Sequence, residues 1–338
     1  MALTGSSAAD DDAAMGRAIE LAAAVRTSTS PNPWVGCVIE PASRGESFEG
    51  ATHPPGGPHA EVVALAAAGD RARGAVLYTT LEPCSHHGRT PPCTDAIVAA
   101  GIARVVVGVE DPDPQVRGAG IDRLRAEGVE VDVGVREDEV RAQLAPYLTH
   151  RRTGRPYVVL KLAATLDGRT SAADGSSRWI TGEAARVDAH RLRAESDAVV
   201  VGAGTVRADD PSLTVRHVAG RDPLRVVLGH APPGAKVHPA LELDGALDDI
   251  LDELGRRQVL QVLVEGGATV AGDFHRAGVV DRYVVYLAPA LAGGDDGRPV
   301  LAGPGAATIA DLWRGRIVDV TRLGDDLRIE LERACSPA

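Results

Sequence analysis

Aromatic residues are scarce in this chain. Phe, Trp and Tyr make up only 3% of its 338 positions, so any core must be packed from Ala, Val and Leu rather than from large rings. No apolar run approaches the roughly 20 residues of a membrane helix. Basic charge is not in excess either: 36 Lys and Arg face 47 Asp and Glu, a net charge of −11. Binding along a nucleic-acid backbone needs a basic surface, so that class of function is excluded as the main activity. A local basic pocket for one phosphate is not. The opening stretch MALTGSSAADDDAAMG is small, polar and acidic, without the basic start and apolar run of a secretory signal. The expected compartment is therefore the cytoplasm. Cysteines number only four, and in a reducing compartment a structural disulfide is not expected from them.

What is present suits a soluble globular protein of two domains: 44% hydrophobic and 25% charged residues over 338 positions. In the first half, helical and strand patterns alternate. Met15, Ile19, Ala22 and Val25 mark a helix over 14–27. Strands are expected at WVGCVIE (34–40), AVLYTTL (75–81), RVVVGVED (104–111) and 129–134, and helices at 60–69, 94–101, 120–127 and 137–147. The basic, Gly- and Pro-containing THRRTGRP (149–156) reads as a linker. It divides the chain into domains 1–150 and 151–338. The second half restarts with a strand over 157–169 that runs into a turn. Strands follow at 198–204, 224–229, 259–267 and 281–289, helices at 183–195, 245–257 and after Gly267, and a hairpin at 317–333. Strands alternating with helices over short connections predict the α/β class in both halves.

Two of the four cysteines lie in LEPCSHHGRTPPCTDA (81–96), downstream of HAEVVAL, which begins at His59. Cys84 follows a predicted strand, and His59 and Cys93 stand at predicted helix starts. One histidine and two cysteines supply three soft ligands for a tetrahedral metal, and three protein ligands leave a fourth position for water, the mark of a catalytic zinc. A helix start also favours the thiolate a metal needs. Glu61, two residues beyond His59, falls beside the metal without ligating it, where a carboxylate can shuttle protons between water and a leaving amine. Taken singly, His59 reads as a helix cap and the cysteines as buried thiols. Together and in this order, His-x-Glu, Pro-Cys and Cys, they read as a zinc deaminase. His86 and His87 are rival ligands in a loop, better suited to substrate or solvent.

The eight residues between Cys84 and Cys93 distinguish this chain from nucleoside, tRNA and DNA deaminases, which usually have two. PCSHHGRTPPC, with PNPWVGCVI (31–39) before it and EDPDPQVRGAG (110–120) after it, resembles the bifunctional deaminase/reductase of riboflavin biosynthesis, the RibD type. The resemblance covers both halves. It implies a cytidine-deaminase-like αβα domain that removes ammonia from a diaminopyrimidinone ribosylamine 5′-phosphate, and a dihydrofolate-reductase-like α/β domain that uses NADPH to reduce the ribosyl group to ribityl. It makes His59, Cys84 and Cys93 zinc ligands and Glu61 the catalytic shuttle. Asn32, His86 and Asp111 would contact the substrate, and Arg89 its phosphate. The family often has Asn where this chain has Asp113.

In the second half, KLAATLDGRTSAADGSSRWITG (161–182) and LRAESDAVVVGAGTVRADDPSLTVR (192–216) carry the same resemblance. VVVGAGTV lacks the third glycine of a Rossmann fingerprint. LVEGGATVAG (263–272) is a better phosphate site, a strand ending in a Gly pair before a helix, though such pairs are also plain turns. By resemblance, Gly266, Gly267, Ala268, Thr269, Val270, Ala271, Gly272 and Asp273 hold the cofactor phosphates, and Ala163, Trp179, Thr205 and Asp209 line the rest of the NADPH site. Ser177, Arg193, Leu213, Arg216, Glu265 and Lys161 meet the ribosylamino substrate. Arg193 alone reads as a solvated helix face and Trp179 as a core aromatic. Between Pro223 and Val259 the chain is short for the family, which predicts a trimmed edge of the reductase half. The family expectation for assembly is a homodimer through that half.

Overall fold

The computed structural model describes residues 7–43, 45–88, 90–114 and 116–333. Its backbone divides into two compact units, Met1–Gly154 and Arg155–Ala338.

The first unit runs α1 (Ala8–Thr29), β1 (Gly36–Glu40), β2 (Phe48–Ala51), α2 (Ala60–Ala68), β3 (Val76–Leu81), α3 (Cys93–Ala100), β4 (Arg104–Val109), α4 (Ala119–Ala126), β5 (Glu130–Val133), α5 (Glu137–Gln143) and α6 (Ala145–Thr153). Its sheet has the order β2-β1-β3-β4-β5. Strands β3, β4 and β5 are parallel, and β1 is antiparallel to both neighbours. The runs VLYTTL and RVVVGV are buried almost throughout, as parallel strands must be when helices cover both faces. From the carboxyl end of β3 the chain passes through Glu82 to Cys84 and enters α3 at Cys93. The end of β4 lies alongside, with Glu82 N–H donating to Val109 O at 3.0 Å. Open α/β sheets bind their ligands at such strand ends.

Several boundaries differ from the sequence reading for identifiable reasons. Helix α1 starts at Ala8, six residues early. Within the opening stretch Ala8–Asp11 form its first turn, with Ser7 and Asp10 making a reciprocal capping box and Asp10 and Asp11 complementing the helix dipole. The helix expected over 137–147 is two helices, the second with Pro146 at its start, where the missing N–H costs nothing. THRRTGRP is not a free linker up to Thr153. Its His150, Arg151 and Arg152 form the last turn of α6, where cations suit the dipole, and the helix stops at Gly154 with φ +74°.

The second unit runs β6 (Tyr157–Thr165), α7 (Glu183–Ala194), β7 (Ala198–Gly202), α8 (Ala203–Asp209), β8 (Leu224–Leu228), β9 (Leu241–Leu243), α9 (Leu247–Arg256), β10 (Gln261–Val264), α10 (Ala268–Ala277), β11 (Arg282–Ala288), β12 (Gly315–Leu323) and β13 (Asp326–Arg333). The sheet order is β12-β13-β11-β6-β10-β7-β8-β9. From β11 to β9 the strands are parallel, and the β12–β13 hairpin adds antiparallel to β11. Val158, Leu160, Val200, Val262, Val264 and Phe274 anchor the core on one face. Two elements were not expected. Strand β7 stops at Gly202, and the residues read as its end start α8. The short stretch after Pro223 still ends the sheet, through the three-residue β9.

Candidate functional site

In the first unit the N-termini of α2 and α3 and the carboxyl end of β3 bring three ligand atoms together. His59 Nδ1 lies 3.2 Å from Cys93 Sγ and 3.6 Å from Cys84 Sγ, and all three atoms fall within 4.8 Å of one another. Zinc bonds of about 2.0–2.3 Å in a tetrahedron require ligand–ligand edges of about 3.6 Å. The donor set therefore fits zinc in both chemistry and spacing. Among the described residues it is the group of this kind, and it contains neither His86 nor His87.

The thiols are polarised by their setting. Hydrogen bonding from Cys93 and from His59 outweighs burial and pulls Cys84 down to about 4. Cys93, whose thiol donates to Cys84, is pushed up. Backbone Cys93 N–H also donates to Cys84 Sγ at 3.4 Å, as a thiolate at a helix start should receive. Glu61, on the first turn of α2, is 4% exposed. Burial first, and the Cys84 charge second, push its carboxyl up to about 7.

A cavity of about 270 Å³ opens onto this group, lined among others by Asn32, His59, Glu61, Cys84, His86 and Asp111. These are the residues the sequence assigned to metal, proton transfer and substrate. Arg89 lies outside the described residues. Sequence reasoning flagged Asp113 as a departure from the family and missed Glu82, Tyr147 and Arg151 among the polar lining residues. Glu82 accepts backbone N–H bonds from Asp111, Gly118, Gly120 and Ile121 at 2.9–3.3 Å. It thereby ties the end of β3 to the loop after β4. Gly120 is obligatory there, because a Cβ would stand 2.0 Å from Pro83 O. Asp111, in turn, accepts from Asp113 N–H at 2.9 Å and from the Tyr147 hydroxyl at 2.9 Å. The acid directly preceding Pro83-Cys84 was a readable signal for Glu82. Nothing local marked Tyr147, which arrives from α6.

In the second unit Lys161 and Ala163 lie in β6, Thr205 and Asp209 in α8 after β7, and Glu265 directly after β10. Arg193 is not on a solvated face. Its side chain is 13% exposed and pairs through two nitrogens with the 8%-exposed Glu265. Burial alone would raise Glu265, but Arg193 and then Lys161 hold it below the usual carboxylate range. Lys161 is itself lowered by burial. Arg193 Nη1 also donates to Thr214 O at 3.2 Å, and Arg216 Nη1 to Thr214 Oγ1 at 3.0 Å. The segment from Leu213 to Arg216 is thus stitched to α7. Leu213 is buried at φ +53°, a conformation non-glycine residues rarely hold. Trp179 is not a core aromatic: it is 70% exposed, with the Arg186 guanidinium 4.7 Å over its ring. Its neighbour Arg178 donates to Asp209 O at 2.8 Å, which places the Ser177–Trp179 segment beside Asp209.

The stretch from Ala268 to Asp273 is helical, as the sequence led one to expect. Gly267 is the N-cap of α10, and its N–H donates to Thr205 Oγ1 at 3.2 Å. Gly267 and Thr269 are exposed, so the free end of the helix faces outward for an anion. Ala271 and Gly272 are buried, and a Cβ on Gly272 would lie 2.1 Å from Ala302 O. That glycine serves close packing. Asp273 holds Arg276 at 2.6 Å on the same helix.

Comparison with known proteins agrees with both units. Residues 8–109 match the family described as the cytidine and deoxycytidylate deaminase zinc-binding region, and residues 156–329 match the RibD C-terminal domain. The riboflavin biosynthesis protein RibD of Escherichia coli K12 is 40% identical over 365 aligned positions, covering 95% of this chain and 99% of the relative. That of Mycobacterium tuberculosis H37Rv is 44% identical, covering 95% and 96%. Among solved structures, Acinetobacter baumannii RibD superposes with a TM-score of 0.91 at 39% identity, covering 97% of this chain and 100% of that one. The Thermotoga maritima diaminohydroxyphosphoribosylaminopyrimidine deaminase/5-amino-6-(5-phosphoribosylamino)uracil reductase gives 0.87 at 35% identity, covering 96% and 99%. The Escherichia coli alignment is longer than this chain's 338 residues, so the relative carries segments that are absent here. The chain belongs to the RibD family of bifunctional riboflavin-biosynthesis proteins, which joins a deaminase to a reductase.

Proposed function

We propose that the first unit deaminates 2,5-diamino-6-ribosylamino-4(3H)-pyrimidinone 5′-phosphate with release of ammonia, and that the second then reduces the ribosyl group to ribityl with NADPH. The observation that carries this reading is the convergence of His59 Nδ1 and the Cys84 and Cys93 sulfurs beside buried Glu61. His59, Cys84 and Cys93 hold the metal. When bound, zinc supplies the Lewis-acid charge that makes water a nucleophile near neutral pH. Glu61 takes a proton onto its carboxylate as water attacks and returns one to the departing nitrogen, so the leaving group is ammonia rather than amide ion. Asn32, His86 and Asp111 orient the pyrimidine ring against that carboxylate.

In the second unit, Thr205, Gly267, Ala268 and Thr269 receive the cofactor phosphates at the start of α10. Ala163, Trp179 and Asp209 flank the rest of the nucleotide. When bound, NADPH supplies the hydride. Arg216 meets the substrate phosphate, since its exposed planar donors suit phosphate oxygens. Lys161, Ser177, Leu213 and the Arg193–Glu265 pair orient the opened ribose. The test is to incubate zinc-loaded chain with the ribosylamine phosphate, with and without NADPH, and follow ammonia and NADPH together. The expected result is ammonia in both tubes and matching NADPH loss in the second. Ammonia without NADPH loss would remove the reductase assignment, and neither signal would remove the substrate.

A further inference from the structure

Between β11 and the closing hairpin, residues 289–308 form no helix and no strand. An irregular stretch of that length inside a compact unit is uncommon and usually functional. Most of it is exposed, so burial does little to hold it in place. Hydrogen bonds do. Near its start it is stitched to the turn after β6. Leu166 N–H donates to Ala290 O at 2.9 Å, Thr170 N–H to Arg298 O at 2.8 Å, and Val300 N–H to Gly168 O at 3.2 Å. The side chain within this join is Asp167. Its two oxygens accept from Ala292 N–H at 3.1 Å and Gly293 N–H at 2.8 Å. The Thr165 hydroxyl and these two donors hold its carboxyl down to about 2, so the acceptor is ionised near neutral pH.

Further along, the same stretch meets α10. Ala302 N–H donates to Ala268 O at 2.9 Å, and Ala268 is the first residue of the helix. Arg276 Nη1 donates to Ala302 O at 2.7 Å, while its Nη2 donates to Asp273 Oδ1 at 2.6 Å. The approach is close: a Cβ on Gly303, which has φ +104°, would stand 2.5 Å from Arg276 Nη1. Strands β11, β6 and β10 are neighbours in the sheet in that order. The stretch is therefore a strap across three adjacent strand ends. It leaves β11, is tied to the turn after β6, and closes on the helix after β10. Both flanks belong to the reductase site. Lys161 and Ala163 lie in β6, and Gly267, Ala268 and Thr269 open α10.

We propose that Asp167 is a positioning residue of the reductase. It fixes residues 290–302, and through them the first turn of α10, where that turn receives the cofactor phosphates. The inference rests on the reading above, that this unit binds NADPH there. Arg276, aimed by Asp273, closes the far end of the strap. Neither residue acts by touching the cofactor. An ionised acceptor holds two backbone donors more firmly than a neutral one, and a phosphate anchor set in advance costs less ordering when the cofactor binds. Breaking either tie frees the start of α10 to shift against the turn after β6, and a misplacement of about 1 Å can cost about 10²-fold in rate.

The experiment measures NADPH binding to the full, zinc-loaded chain by the change in NADPH fluorescence. It compares wild type, Asp167→Ala, Asp167→Asn, Arg276→Ala and the double variant Asp167→Ala/Arg276→Ala. Circular dichroism checks that each is folded. A charge-assisted hydrogen bond of this kind corresponds to about 10-fold in affinity. Asp167→Ala and Arg276→Ala should each weaken NADPH binding by about that factor, and should raise the KM for NADPH more than they lower kcat. Asp167→Asn, which keeps one acceptor oxygen, should lose less. The double variant should bind little worse than either single one, because each break releases the same strap. Two independent contacts would instead multiply, to about 100-fold. Unchanged affinity in Asp167→Ala, or multiplied losses in the double variant, would overturn the positioning role while leaving the cofactor reading intact. A wild-type chain that does not bind NADPH would overturn both. Should Asp167→Ala not fold, Asp167→Asn with Arg276→Ala carries the same comparison.

Discussion

Glu82 and Asp111 at the first site are satisfied by backbone N–H groups and a tyrosine; the buried carboxylates Glu265 and Asp188 of the second unit are satisfied mainly by arginines. Glu82 takes four backbone donors, and Asp111 takes one N–H and one hydroxyl. Glu265 faces Arg193, and Asp188 faces Arg191 and Arg328 as well as Tyr286. The consequence is opposite tuning. Burial pushes Glu61 up to about 7 and Asp111 up to about 6, whereas Glu265 and Asp188 are held below the usual range by their arginines against the effect of burial. Hydrolysis of an amine needs a carboxylate that can both take and give a proton. Hydride transfer leaves the chemistry to the cofactor and asks the protein for fixed charges and orientation.

The largest test of that contrast removes the one carboxylate assigned to proton transfer. Glu61→Gln should keep zinc and the fold, yet lose deamination by about 10²- to 10⁴-fold. NADPH oxidation by the same variant, supplied with already deaminated substrate, should be unchanged. Near-normal ammonia release would end the assignment of the shuttle. Next in size is the second unit's pair. Arg193→Ala leaves buried Glu265 without its ion-pair partner, which should cost about 3–5 kcal/mol of stability. The double variant Arg193→Ala/Glu265→Ala should cost less than the two single changes added together. Calorimetry of the four proteins checks this, and simple additivity would show that the pair is not coupled.

These two tests also mark where sequence stops being informative. The metal group was legible because its members sit in short windows at helix starts and a strand end, where residue type dictates chemistry. His59-Ala60-Glu61 and Pro83-Cys84 need no tertiary knowledge to be read. Tyr147 and Arg151 reach the same cavity from α6, and helical periodicity does not say which side chain meets a cavity. The strands were visible as Val-rich runs. FEGA in β2 and LEL in β9 are too short to show a period. The start of α8 was hidden because Ala203-Gly204 read as the end of the Val-rich strand over 198–204. In the second unit the Arg193–Glu265 pair spans 72 residues, and only pairing of distant strands brings those charges together.

Acidity sharpens the comparison at intermediate cost. The folded-state value for Asp111, about 6, lies above its ordinary 3.8. The stability it contributes is therefore full below about pH 3.8 and is lost as pH rises through 6. Glu265 is displaced the other way, so its contribution is present above its ordinary 4.5 and is lost as pH falls through its lowered folded value. Relative to wild type, Asp111→Asn should thus gain stability as pH rises from 3.8 through about 6, and Glu265→Gln should lose it as pH rises from the lowered folded value of Glu265 to its ordinary 4.5. Melting temperatures of the full chain across that range decide the matter. Slopes of the same sign for both variants would mean that the sites do not differ as described.

The smallest effect comes from making one change in both units. Tyr147 donates to Asp111 Oδ2 at 2.9 Å, and Tyr286 donates to Asp188 Oδ2 at 2.6 Å. By length alone Tyr286→Phe should be the more damaging. The surroundings argue the reverse. Without the Tyr286 hydroxyl, Asp188 keeps Arg191 at 2.8 Å and Arg328 at 3.1 Å, so the change should cost about 0.5–1.5 kcal/mol, an ordinary hydrogen bond. Without the Tyr147 hydroxyl, Asp111 keeps the Asp113 N–H, and among the described residues no cation pairs with it. A buried carboxylate left short of donors should cost about 1.5–3 kcal/mol, and its proton should be held to still higher pH. Tyr147→Phe should therefore be the more destabilising at pH 7, and the gap should close toward pH 4, where Asp111 carries its own proton and no longer needs the hydroxyl. A larger loss from Tyr286→Phe at neutral pH would show that bond length, not the charge around the carboxylate, sets the value of these tyrosines.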